Sequence, residues 1–266
     1  MCIRDSLDNG TVSLDGLPEV HDAQRPLVNG RGSYALVSAA LRRMDEVGFK
    51  YAVRTTVTRP GLSRVVESVE SICRNFKAGI IQLEPMYAAG RAKRGGHLSP
   101  DPHEFARQFR MADEVARSYG RELQYSGARF GLVQPRFCRV SADLLALTPD
   151  GSASACFEVG DSADPRADLF FYGRLDPRSG ELQVDTDKLA RLRTLNAGHK
   201  ASCAACFCRW SCGGECAAKL ALEGDPWDSS RSERCIINRE LTLGQMRDFL
   251  EYGAPQASDP LGGPGA

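Results

Sequence analysis

Residues 203–219 read C-A-A-C-F-C-R-W-S-C-G-G-E-C-A-A-K, and the fold of this chain is best approached from them. Cys203 and Cys206 stand in a C-x2-C turn, which lets two thiolates converge on one metal centre. Gly213-Gly214 interrupts regular structure between Cys212 and Cys216, so their sulfurs can face different centres instead of sharing a helix face. Outward from this loop, Cys138, Gly151 and Cys156 form C-x12-G-x4-C, and Cys235 follows after a gap. More than four thiols are present, so a single tetrahedral zinc would leave some unused.

The rest of the composition narrows the meaning of these thiols. The chain has 266 residues, 34 Lys plus Arg against 34 Asp plus Glu, and ten cysteines, of which only Cys2 and Cys73 fall in the first half. A balanced charge excludes a general binder of nucleic acid or of membrane surfaces, which carries a basic excess. No apolar run reaches the length of a membrane span. The N-terminus lacks the basic region, apolar core and cleavage site of a signal peptide. A cytoplasmic location is expected, where thiols stay reduced, and clustered thiols there point to metal before disulfides.

The first half alternates strand and helix patterns. Strands are predicted over Thr11–Leu14, Tyr51–Thr58 and Gly79–Leu83, the last stopped by Glu84-Pro85. Helices are predicted over Tyr34–Val47 with Ser33 as cap, Leu62–Phe76 and His103–Tyr119. Such alternation implies a parallel sheet with helices on its outside, although only about three units are visible, too few for an eight-unit barrel. Past Cys138 the character changes. Leu144–Thr148 and Ser152–Phe157 flank a Pro-Asp-Gly turn, and Leu169–Leu175 with Glu181–Val184 reads as a second hairpin. A helix capped by Asp185 runs to Asn196, and Ile236–Leu250 reads as a final helix.

The spacing C-x12-G-x4-C, then C-x2-C-x5-C-x3-C, then a last cysteine, resembles position for position the seven-cysteine signature of the SPASM domain. That domain is the C-terminal extension of many radical S-adenosylmethionine (SAM) peptide-modifying enzymes. Upstream, VSLDGLPEVHDAQRP and YAVRTTVT are similar to the fourth and fifth strand regions of radical SAM barrels such as anaerobic sulfatase maturases. The resemblance covers residues 11–253. It implies an α/β fold: the C-terminal part of a partial (β/α)6 radical SAM barrel, then a small α+β cysteine-rich SPASM domain of β-hairpins and a terminal helix. The expected divisions are 1–6 as foreign sequence, 7–125 as barrel, 126–252 as SPASM domain and 253–266 as disordered tail. The family's C-x3-C-x2-C loop, which holds the SAM-binding cluster, does not occur in these residues. A truncated gene product is therefore expected.

The resemblance also implies roles. Cys203, Cys206, Cys212 and Cys235 would hold one auxiliary [4Fe–4S] cluster completely. Cys138, Cys156 and Cys216 would hold a second, nearer the substrate and one ligand short, with Cys208 as a spare thiol. Ser13, Arg25 and Tyr87 match SAM-contacting positions; taken alone, Ser13 reads as a turn residue and Arg25 as a loop fastener through Asp22. SAM and a third cluster belong to the full-length protein. A reduced cluster there cleaves SAM to methionine and a 5′-deoxyadenosyl radical, which takes a hydrogen from a peptide or protein substrate, often a ribosomally made precursor. A flavodoxin- or ferredoxin-type reductant is implied, and no nucleic-acid or membrane partner. Sulfatase maturases carry an aspartate directly after the second hairpin cysteine; Phe157 and then Glu158 stand here, which speaks against sulfatase maturation. His21, His97 and the run Arg91–Arg94 read as loop or surface groups, Cys73 as core, and Trp210 and Trp227 as packing near the clusters. A zinc-stapled structural domain and an iron–sulfur electron-transfer module are the rival classes.

Overall fold

A computed structural model describes residues 8–87, 92, 98–230 and 232–253. Residues 1–6, His97, and Arg91, Lys93 and Arg94 lie outside the described residues, as does the tail after Gly253. The chain divides into two compact units, residues 1–126 with 247–266 and residues 127–246.

In the first unit β1 (Asn9–Ser13), β2 (Lys50–Val57), β3 (Ile80–Pro85) and β4 (Glu122–Gln124) form one sheet in the order β1-β2-β3-β4, with every neighbouring pair parallel. Parallel neighbours require crossovers. These are supplied by α1 (Pro18–Gln24) and α2 (Tyr34–Glu46), then α3 (Val65–Asn75), then α4 (Pro102–Ser118). Helix α4 buries Phe105, Phe109, Ala112 and Ala116, a spacing of four, three and four that keeps one face inward. Leu14, Leu41, Val53, Val69, Ile81, Leu83 and Phe105 are fully buried. Each such side chain contributes roughly 1.5–3 kcal/mol by leaving water. Cys73 lies in this core, 6 % exposed.

Three local readings change. Strand β3 continues past Leu83, with Glu84 opposite Thr56 and Pro85 opposite Val57. Pro85 has no N–H to give, but the next residue resumes the ladder: Met86 N donates to Val57 O at 2.7 Å. Ser33 precedes α2 without capping it; Asp22 Oδ1 accepts from Tyr34 N at 2.7 Å instead. Helix α1 and the three-residue β4 had no reading. Pro18 opens α1 at a position where a missing N–H costs nothing.

The second unit holds an antiparallel sheet in the order β5-β6-β7-β8: Ala146–Leu147, Ser152–Ser154, Phe171–Leu175 and Leu182–Val184. Both predicted hairpins are present, each shorter than read. A helical turn, α5 (Ala167–Phe170), replaces the expected start of β7. Helix α6 (Thr186–Arg193) is capped by Asp185, whose Oδ1 accepts from Lys188 N at 2.9 Å. Short helices α7 (Arg209–Cys212) and α8 (Ala217–Glu223) follow, and then α9 (Glu233–Tyr252), which belongs to this unit as far as Met246. Ala153, Ala155, Val159, Phe170, Tyr172, Leu192 and Leu195 form its apolar cluster. Among the described residues no helix is long and apolar enough to cross a membrane.

Candidate metal centre

Five cysteines line one pocket of the second unit: Cys203, Cys206, Cys208, Cys212 and Cys235. Local structure brings them there. Cys203 ends a 3-10 turn, Cys208 immediately precedes α7, Cys212 ends α7, and Cys235 stands in the first turn of α9. Cys203, Cys208 and Cys212 are buried, Cys206 and Cys235 half-buried. Cys206 Sγ and Cys208 Sγ are 3.4 Å apart. Burial pushes the Cys212 thiol up to about 12 and the Cys235 thiol up to about 11. Burial, then the Cys206 sulfur, drives Cys208 upward as well. Thiols confined together out of water resist ionising until a cation joins them, and a metal ion reverses that preference.

Polar groups buried beside the pocket suit thiolates. Asn238 Nδ2 donates to Cys212 Sγ at 3.1 Å and to Glu215 Oε2 at 2.9 Å. Glu215 Oε1 pairs with Arg234 Nε at 2.7 Å, both side chains nearly fully buried. Burial works against the charge on Glu215, yet Arg234, the Cys216 N–H and Asn238 together hold its carboxyl below the ordinary value. Lys200, 2 % exposed, donates from Nζ to Gly214 O at 2.6 Å. Burial lowers its pKa, while Cys203, Glu215, Cys212 and Cys235 pull the other way. Its ammonium could serve as countercharge to thiolates in the pocket. The sequence carries no local signal for Lys200, Glu215, Arg234 or Asn238, because their partners lie 14 to 26 residues away.

The link between Cys212 and Cys216 is a left-handed run: Gly213, Gly214 and Glu215 have φ of +71°, +88° and +68°. A Cβ on Gly213 would lie 2.4 Å from the Arg136 carbonyl carbon, and one on Gly214 2.8 Å from Ala197 N. Only glycine meets both demands. After this turn Cys216 enters the apolar cluster that also contains Cys156, while Cys212 remains on the pocket. Cys156 and Cys216 are 7 % and 8 % exposed. Burial raises both thiols, Cys216 to about 11, and a Cys138 thiolate would repel that of Cys156. Cys138 itself is exposed and precedes the 3-10 turn Arg139–Ser141. Phe157 is 78 % exposed, and Glu158 Oε2 is 3.5 Å from Arg166 Nη1. Trp227 packs against the apolar cluster, and Trp210 is exposed under the Arg209 guanidinium. Among the described residues no three His, Cys, Asp or Glu are grouped tightly enough to hold one metal ion.

In the first unit, Ser13 ends β1 opposite Arg54, and Tyr87 follows β3, half-buried. Arg25 pairs with Asp15, Nε to Oδ2 at 2.7 Å and Nη2 to Oδ1 at 3.2 Å, and Nη2 reaches Thr56 Oγ1 at 3.3 Å. The loop is thus fastened through Asp15; Asp22 is engaged at α2. Fully buried His21 completes the network. Asp15 N donates to its Nδ1 at 3.1 Å, and its Nε2 is 2.9 Å from Ser33 Oγ, which donates to Arg25 O at 2.5 Å. His21 is therefore neutral with its proton on Nε2, and its place is in α1.

No family model matches this sequence, and no curated protein is similar to it. Solved structures are similar in fold. The anaerobic sulfatase-maturating enzyme anSMEcpe, a radical SAM/SPASM protein, in a hexahistidine-tagged form with bound AdoMet, superposes with a TM-score of 0.61 at 15 % identity. The match covers 95 % of this chain and 67 % of that one. Native anSMEcpe with AdoMet gives 0.60 at 13 % identity, covering 92 % and 68 %. The native enzyme with AdoMet and Cp18Cys peptide gives 0.59 at 15 %, covering 92 % and 69 %. At these identities the likeness establishes the fold. The parallel-sheet α/β unit is consistent with part of a radical SAM fold.

Proposed function

We propose that this chain is part of a radical SAM enzyme that modifies a peptide or protein, and that its residues 127–246 form a SPASM-type domain holding two auxiliary [4Fe–4S] clusters. The observation that carries this reading is the convergence of five thiols on one pocket, from a cysteine spacing that also sends Cys156 and Cys216 to a separate cluster of side chains. The donor set fits an iron–sulfur centre: several thiols, an amide N–H aimed at a ligand sulfur, and a buried ammonium as countercharge. A lone zinc would draw its sulfurs within about 3.8 Å of one another, given Zn–S bonds of about 2.3 Å. A polynuclear cluster spaces its thiolates more widely and can take them from separate elements, as the 3-10 turn, α7 and α9 present them here.

Cys203, Cys206, Cys212 and Cys235 are the proposed ligands of the first cluster, and Cys138, Cys156 and Cys216 those of the second, which keeps one iron open. Ser13 and Tyr87 stand at C-terminal ends of parallel strands, the edge on which such sheets bind ligands. Arg25 offers Nη1 to a carboxylate while Asp15 orients the guanidinium. SAM held there, beside a reduced cluster, would supply the chemistry of hydrogen abstraction. These residues contain no C-x3-C-x2-C loop, so they do not cleave SAM by themselves. The peptide in one similar structure favours a peptide substrate here. Phe157, in place of the maturases' aspartate, favours a target other than a sulfatase.

Iron and acid-labile sulfide, counted after anaerobic reconstitution, test the proposal. About eight irons per chain are expected, four per cluster. Four or fewer would remove the two-cluster assignment. Stoichiometric zinc without sulfide would favour the stapled structural domain.

A further inference from the structure

The five-thiol pocket has one sulfur more than a four-iron cluster requires, and the surplus thiol is not at its margin. Cys208 is 2 % exposed, whereas Cys206, two residues earlier, is half-buried. Cys203, Cys206, Cys212 and Cys235 line the same pocket as Cys208. Its Sγ is 3.4 Å from Cys206 Sγ, so a metal corner within reach of one is within reach of the other after a small rotation. The backbone at Cys208 is anchored: Cys212 N donates to its carbonyl at 2.9 Å, which fixes it to the first turn of α7. Cys208 is thus a thiol buried against another thiol, on a pocket lined by three more.

We propose that Cys208 is a metal ligand of this pocket, interchangeable with Cys206, so that either thiol closes the site formed with Cys203, Cys212 and Cys235. The inference rests on the metal-centre reading above. Exchange needs no redox step: one thiolate leaves the metal, taking up a proton, as the other binds and releases one.

The experiment uses the full chain and Cys206→Ser, Cys208→Ser, Cys212→Ser and the double Cys206→Ser/Cys208→Ser variant. After anaerobic reconstitution, each single variant at 206 or 208 keeps nearly all its iron with a changed electron paramagnetic resonance spectrum. The double variant and Cys212→Ser lose about half, one of two equal clusters. The signal of the Cys138–Cys156–Cys216 cluster, retained in the double variant, shows that the unit is folded. A Cys206→Ser loss as large as that of Cys212→Ser overturns the proposal, as does a double variant with full iron. Cobalt(II) alone, titrated into iron-free protein, decides the same question if the chain does not build iron–sulfur clusters. The thiolate-to-cobalt absorbance then persists in both single variants at 206 and 208 and falls at least tenfold in affinity in the double variant. Loss in Cys206→Ser alone overturns the proposal, whatever metal the site takes.

Discussion

In the parallel-sheet unit the side chains of Leu14, Leu41, Val53, Ile81, Leu83 and Phe105 are sealed from solvent; beside the cysteine pocket, Lys200, Glu215, Arg234 and Asn238 are sealed nearly as completely. The first set gains free energy on leaving water. The second loses it unless every charge is met. The parallel-sheet unit therefore carries its own driving force, whereas on the proposed reading much of the driving force of the cysteine unit would be metal binding. The largest expected effect tests this contrast directly. Withholding iron, or chelating it, should leave amide-exchange protection in β2 and β3 unchanged and lower it at least tenfold around residues 200–235. Hydrogen exchange with mass detection reads both regions in one sample. Equal loss in both would remove the distinction between them.

A narrower break is possible at Glu215. Its carboxylate holds Arg234 and Asn238, and Asn238 in turn donates to Cys212 Sγ. Glu215→Ala removes the carboxylate paired with the buried Arg234 guanidinium, and breaking a buried pair at one partner costs about 3–5 kcal/mol. Denaturant unfolding of the iron-loaded protein should show that loss in the cysteine unit, and the reduction potential should shift as the N–H···S bond loosens. The Glu215→Ala/Arg234→Met double variant should recover a large part of the stability, because both charges of the buried pair are then gone. If the double variant is as unstable as the single, the left-handed backbone at 215, and not the ion pair, is what the glutamate serves.

The two units were also unequally legible. Cysteine spacing is written in the order of residues, so the gathering of Cys203, Cys206, Cys212 and Cys235 could be read at once, as could the inward faces of α3 and α4 and the two hairpins. Helix α1 left no trace, because seven residues are too few to show a period, and β4 is shorter still. Ser33 and Asp22 are both good cap residues; which one serves α2 depends on a loop that brings Asp22 back across twelve residues. The Glu215–Arg234–Asn238 network was illegible for the same reason. Glu215 in C-G-G-E-C reads as a solvated charge until α9, some 20 residues on, is folded over it.

The smallest effect belongs to the parallel-sheet unit and sharpens the contrast from its side, since that unit too buries polar groups and pairs Asp15, His21, Arg25 and Ser33 with one another. His21 accepts from the Asp15 N–H through Nδ1, so a second proton has no place unless that bond breaks. Burial lowers its pKa from the ordinary 6.5; Asp15 opposes this, Arg25 adds to it, and Asp22 opposes it. With the folded pKa below the unfolded one, the unfolded chain binds more protons as pH falls through 6.5, and stability declines with it. The decline continues down to the folded pKa and then stops; above 6.5 the contribution is complete. Exchange protection of β1 and β2 amides, corrected for intrinsic rates, should therefore be lower at pH 5.5 than at pH 7.5. In His21→Gln the side-chain amide can accept from the Asp15 N–H and donate to Ser33 without titrating, so the difference should shrink. Relative to the parent protein, the variant would lose more stability at pH 7.5 than at pH 5.5. If the variant keeps the whole pH difference, carboxylates elsewhere in the sheet unit carry it, and His21 is only a fastener.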